Sequence, residues 1–185
     1  MTQQTMPNPV ELYQAAVAQT RKFVAGVQRE QMSASTPCAE WNVQQLLDHV
    51  TQTSGILVSA LAGGKPAAAS NLSALEAYDA ATSAAVQAAK TPGALEKTVK
   101  GPMGEMPGGR LVGIIFSDNL IHGWDLAKAT GQDTTLDPKL VDICCSMLEP
   151  VIEGARSMGA FGPEVQTPAD ASAQAKFLGM TGRKA

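Results

Sequence analysis

The sequence predicts an all-α protein, an antiparallel helical bundle, on three observations. Alanine is abundant while aromatic residues make up only 4% of the 185 positions, so the core must be built from small and aliphatic side chains. Alanine is also the best helix former, and its size lets helices approach closely. Five stretches carry apolar residues at three- and four-residue spacing, the helical period, and capping residues or Gly/Pro punctuation mark most of their ends. With 44% hydrophobic and 17% charged residues, the chain is globular in type and long enough to bury its own core as one domain, residues 1–185.

The first helix is expected from Pro9 to Glu30, with Val10, Tyr13, Val17, Val24 and Val27 in its stripe. Pro9 suits a first helical position because the N–H it lacks would be unpaired there. Asn42 with Gln45 forms a capping-box pattern that opens the second helix, which carries Leu46, Leu47, Val50, Leu57 and Leu61 and stops at Gly63-Gly64. Ser73 with Glu76 repeats that pattern and opens the third, which fades near Thr91-Pro92-Gly93. Prolines and glycines between Ala94 and Gly109, beside Thr98 and Val99, suit a short hairpin better than a helix. A fourth helix follows from Arg110 to Thr130, and a fifth from the Asp137-Pro138 cap to Ser157. The tail offers one helical turn around Ala173 to Leu178.

Charge and composition exclude several functions. A net charge of −3 and a pI near 5.4, with no basic cluster, leave no electrostatic footprint for nucleic acid. No run of about 18 apolar residues would span a membrane, and the N-terminus lacks the pattern of a signal peptide. Cys38, Cys144 and Cys145 form no spaced framework. They are expected to be reduced thiols of a cytoplasmic protein, buried as small hydrophobes.

The chemistry concentrates on the fourth helix. At about 100° per residue, Leu111, Ile115, Asp118, His122, Asp125 and Ala129 share one narrow face. Two carboxylates and a histidine thus interrupt an apolar stripe, where charge is costly unless paired or bound to a cation. Asp118 and His122, four apart, present side chains from successive turns, a spacing that suits two ligands of one ion. Asp125 can reach His122 and orient it through the ring nitrogen that a metal leaves free; it is also the candidate proton acceptor, and hence the candidate catalytic residue. The other histidine, His49, flanks the stripe of the second helix and would face Asp118 and His122 if the two helices pack antiparallel. Two nitrogens and one oxygen would leave a coordination position for water or substrate. A histidine–carboxylate hydrogen bond without metal satisfies the same residues, and both readings stay open at this level.

Thr36-Pro37-Cys38-Ala39-Glu40-Trp41-Asn42-Val43 with Leu46-Leu47-Asp48-His49-Val50, and Asp118-Asn119-Leu120-Ile121-His122-Gly123-Trp124-Asp125-Leu126-Ala127, resemble the two signatures of the mycothiol-dependent maleylpyruvate isomerase N-terminal-like family. The tail segments Phe161-Gly162-Pro163-Glu164-Val165 and Pro168-Ala169-Asp170-Ala171-Ser172 resemble small members of it. The resemblance implies a DinB-like four-helix bundle and a divalent metal, often zinc, at His49, Asp118 and His122. The family's acidic ligand is usually Glu, where this chain has the shorter Asp118. The isomerase has a further C-terminal domain that this chain is expected to lack, so maleylpyruvate isomerisation itself does not carry over.

The resulting expectation is a metal-dependent enzyme of the low-molecular-weight-thiol transferase or hydrolase type. A zinc ion would activate a thiol or water, and mycothiol is a candidate co-substrate. Arg110 is a candidate for holding a substrate carboxylate, and Trp124 is read as packing. The alternative is a non-catalytic module that binds a small molecule or a partner, with homodimerisation possible for such helices. A structural metal ranks last, because only Cys38 could complete a closed set of ligands.

Overall fold

The computed structural model describes residues 7–39, 41–64 and 71–185. They form helices α1 (Pro9–Gly26), α2 (Val43–Leu57), α3 (Ala74–Lys90), α4 (Gly108–Ala129), α5 (Pro138–Leu148), α6 (Ile152–Ser157) and α7 (Ala173–Met180), with strands β1 (Thr98–Gly101) and β2 (Gly104–Pro107) between α3 and α4. The fold is mostly helical with one small antiparallel hairpin, consistent with the expected DinB-like helical bundle. The chain divides into two compact units, Met1–Thr134 and Thr135–Ala185.

In the first unit the predicted caps form. Asn42 and Gln45 bond reciprocally at the start of α2, and Ser73 and Glu76 do so at α3. Asn8 caps α1 ahead of Pro9. That helix ends at Gly26, short of the expected Glu30, and Arg29–Gln31 instead form a 3₁₀ turn. The last turn of α2 widens to a π-helical one over Val58–Ala62 and stops at Gly63, whose φ of 71° suits a residue without Cβ.

The helix α1 packs on α4 and α3, and α2 packs on α3 and α4. Pro9 lies against Gly109 at one end and Gln132 reaches Phe23 O at the other, so α1 and α4 run parallel. Leu61 beside Gly108, with His49 beside Asp118, makes α2 antiparallel to α4. Gly123 permits the close α1–α4 approach: a Cβ there would collide with Thr20, whose Oγ1 donates to Asn119 O at 3.0 Å. The core is Tyr13, Leu46, Leu57, Tyr78, Leu111, Phe116, Leu120 and Trp124, all but sealed from solvent. The hairpin forms where expected, pairing Thr98 with Pro107 and Val99 with Met106.

In the second unit α5 packs on α7. The fifth helix was expected to continue to Ser157, but it ends at Leu148 and a separate α6 begins at Ile152. Pro150 is the cause: it lacks an N–H, and its ring crowds the carbonyl four residues back. The tail helix α7 spans eight residues, longer than the single turn expected.

Candidate metal centre

The antiparallel α2–α4 contact sets His49 opposite one face of α4. Asp118, His122 and Asp125 project from that face on successive turns, spaced as the helical period dictates. A third element completes the site, the segment leading into α2. Its backbone is tied down by Val43 N to Ala34 O and Gln44 N to Met32 O, both 3.0 Å. Within it Thr36 Oγ1 donates to Trp41 O at 2.8 Å and accepts from Cys38 N at 3.1 Å. Trp41 N donates to Cys38 O at 2.9 Å. This small closed loop carries the Cys38 thiol and the Trp41 indole to the site.

Asp118 Oδ1 lies 3.0 Å from His49 Nε2 and 3.5 Å from His122 Nε2. On the far side of its ring, His122 Nδ1 sits 2.9 Å from Asp125 Oδ2. The Cys38 Sγ–H donates to that same Oδ2 at 3.2 Å, with His122 Nδ1 3.7 Å away. Trp41 packs on His49 with ring centroids 4.4 Å apart and on His122 at 5.5 Å. The two imidazoles meet edge to face at 4.8 Å.

These groups differ in what satisfies them. Asp125 is fully buried and receives two donors on one oxygen. Asp118 is about one-fifth exposed, yet its Oδ2 is buried and has no hydrogen-bond partner. Burial pushes the Asp118 carboxyl upward, but the charge of His122 and the hydrogen bond and charge of His49 outweigh it and hold it below its ordinary value. The nearby Thr53 hydroxyl adds a smaller downward pull as a hydrogen-bonding neighbour of the carboxylate. Its geometry directs it to Val50 O at 3.3 Å, and Oδ2 has no partner of hydrogen-bonding geometry. Asp118 is therefore an ionised carboxylate with a spare oxygen, facing two imidazole nitrogens.

The sequence profile of the mycothiol maleylpyruvate isomerase N-terminal domain matches residues 13–127, the stretch that holds every one of these residues. The chain belongs to that family. Two uncharacterized proteins of Mycobacterium tuberculosis, one from each of two strains, are similar to it at 36% identity over 137 residues, covering 72% of this chain and 73% of each relative. No solved structure matches the chain.

Within this isomerase-domain family member, the three residues singled out as ligands come together as one group, with their candidate ligand atoms all within 4.8 Å of one another. Asp125 reaches His122 at the ring nitrogen turned away from that group. Arg110 does not join them. It is exposed on the first turn of α4, eight residues or about 12 Å along the axis from Asp118. Trp124 is a packing residue, 1% exposed, with Lys128 Nζ 5.6 Å from its ring.

The expectation for the cysteines needs correction. All three are free thiols, but only Cys144 is buried. Cys38 is half-buried at the site, because the loop tied to the start of α2 turns it toward Asp125. Trp41 also went unassigned. The available signal was position: both precede the Asn42 cap closely, and His49 lies two turns beyond that cap.

Proposed function

We propose that this protein binds one divalent metal ion, zinc in the first instance, through His49 Nε2, Asp118 and His122 Nε2, and uses it to act on a low-molecular-weight thiol or a hydrolysable small molecule. The observation that carries the reading is the buried, unpartnered Asp118 Oδ2 beside two imidazole nitrogens. An ionised carboxylate oxygen left without a donor is costly, and a cation is the occupant that would compensate it. Imidazole and carboxylate donors suit zinc better than calcium or magnesium. Such an ion would lower the pKa of a thiol or water at its remaining position.

The chain's own residues have distinct parts in this reading. Asp125 accepts from His122 Nδ1 and so leaves the Nε2 lone pair toward the ion. Being sealed from solvent, Asp125 works as a positioning residue for His122. Trp41 covers both imidazoles on one side, which limits water there and narrows the direction from which a substrate can enter. Mycothiol, named in the family's description, is the thiol to try first.

The test is metal content by mass spectrometry on tag-free protein before and after chelation, with His49→Ala in parallel. About one ion per chain, removable by chelator and absent from the variant, is the expected result. Protein that carries no ion and takes up none on reconstitution would sink the reading.

A second reading, a binding module without turnover, has one observation in its favour. A mostly apolar groove of about 990 Å³ lies among α2, α3 and β1, with Ile56, Val58, Ala81, Val99 and Lys100 among its lining residues. It shares no residue with the candidate metal centre. Zinc-free protein that still binds an apolar ligand there would favour this reading.

A further inference from the structure

We infer that Cys38 is a positioning residue for the candidate metal centre, acting through Asp125 and His122 rather than as a ligand. The inference rests on the proposed metal site and goes beyond its three ligands.

The geometry orders the four groups in a line. Cys38 Sγ is 3.2 Å from Asp125 Oδ2, that oxygen is 2.9 Å from His122 Nδ1, and His122 Nε2 turns to Asp118 on the opposite side of the ring. The thiol and the imidazole meet the same carboxylate oxygen. Asp125 is on the same helix as His122, one turn on, and is fully buried. The terminal torsion of a carboxylate is a soft coordinate, and a donor arriving from a different element restrains it at Oδ2. The donor comes from the loop before α2, while Asp125 and His122 come from α4, so the contact also ties the loop to the helix. With Oδ2 held, the ring of His122 is held, and Nε2 keeps its aim at the ligand group.

A direct ligand role fits less well. Cys38 Sγ approaches His122 at Nδ1, 3.7 Å away, on the far side of the imidazole from His49 and Asp118. One ion cannot take both Nε2 of His122 and a thiolate lying against Nδ1. The group Cys38, His122 and Asp125 could hold an ion of its own, but only by breaking the hydrogen bond that orients His122.

The experiment is a zinc competition titration on full-length wild type, Cys38→Ala and Cys38→Ser, with thermal melts of the metal-free forms and absorption spectra after cobalt substitution. Direct partners of a ligating histidine are worth ten- to hundredfold in affinity, and Cys38 is one step further out. Cys38→Ala should therefore weaken zinc by about tenfold at most and at least threefold. Cys38→Ser keeps a donor and should return to within about twofold of wild type. The metal-free melting temperatures should agree within a few degrees, a match that general destabilisation would not give. Should the alanine variant fail to fold, Cys38→Val keeps the bulk without the donor and takes its place. Equal zinc affinity in wild type and Cys38→Ala overturns the inference while leaving the metal site standing. A sulfur-to-cobalt charge-transfer band in wild type, lost in Cys38→Ser, overturns it in favour of a ligand role. Failure of wild type to bind zinc or cobalt at all removes the metal reading, and this inference with it.

Discussion

Asp118 and Asn119 are neighbours on α4, about 100° apart around its axis, and they serve two polar regions of different character. Asp118 faces His49 and His122, beside Trp41. Asn119 points into the bundle, where each of the four long helices supplies a buried neutral polar group. Tyr13 of α1 donates to Ser54 of α2 at 2.8 Å, and Ser54 donates to Val50 O at 3.1 Å. Tyr78 of α3 donates to Asn119 Oδ1 at 3.1 Å, while Thr20 donates to Asn119 O. Burial pushes Tyr13 up to about 12 and Tyr78 above its ordinary value, so both phenols stay neutral.

Among the described residues each region keeps one buried atom without a partner, Asp118 Oδ2 in the ionised cluster and Asn119 Nδ2 in the neutral layer. The costs differ. An unpaired amide hydrogen costs about 1–3 kcal/mol, and a charged oxygen costs more. The neutral layer can tolerate its defect as a local loss of stability. The ionised cluster has a defect of definite sign, which a cation would remove. Neutral groups of this kind fix how helices pack, whereas convergent charged ones mark where a ligand belongs.

The largest separation between the regions is expected from Asp118→Asn. It should lower zinc affinity at least about a hundredfold, or roughly 3 kcal/mol, while the metal-free protein melts within a few degrees of wild type. Retention of full zinc affinity would mean that the carboxylate only pairs with the histidines. Asn119→Ala should do the reverse. It removes the Asn119 Oδ1 acceptor of the Tyr78 hydroxyl and opens a small void, so denaturant unfolding should show a loss of about 2–3 kcal/mol. Its zinc affinity should stay within about twofold of wild type.

Asp125→Asn should weaken zinc by about ten- to hundredfold, read by competition titration, because the amide can present a donor to His122 Nδ1 and favour the wrong tautomer. An effect confined to stability would place Asp125 with the neutral layer instead. The smallest change is Tyr13→Phe, about 1 kcal/mol of stability at neutral pH with unchanged zinc binding. Its alkaline behaviour sharpens the comparison. The Tyr13 pKa rises from 10.0 unfolded to about 12 folded, so the stability held below pH 10 is lost as pH climbs toward 12. Tyr13→Phe lacks that loss, and its deficit relative to wild type should shrink over the same window.

Much of this was legible from local pattern. The helix caps at Asn42, Ser73 and Asp137 and the hairpin among the Gly/Pro positions could be read directly, because each depends on residues within a few positions of one another. Pro150 is an equally local signal, but the expectation of one helix to Ser157 passed over it, and the break follows from its missing N–H and the crowding of its ring. The shared face of Asp118, His122 and Asp125 is likewise a consequence of the 3.6-residue turn, and no tertiary contact is needed to predict it.

Which faces meet is another matter. The parallel run of α1 beside α4, permitted by Gly123, joins residues about a hundred positions apart, and nothing in either helix alone specifies it. The same holds for His49, whose place at the stripe's flank suits either solvent or a ligand until α2 docks on α4. The places of Cys38 beside Asp125 and of Trp41 against the two imidazoles were decided by the loop closing onto α2. Periodicity determines the direction of a side chain from its own helix, and only packing determines what stands opposite it.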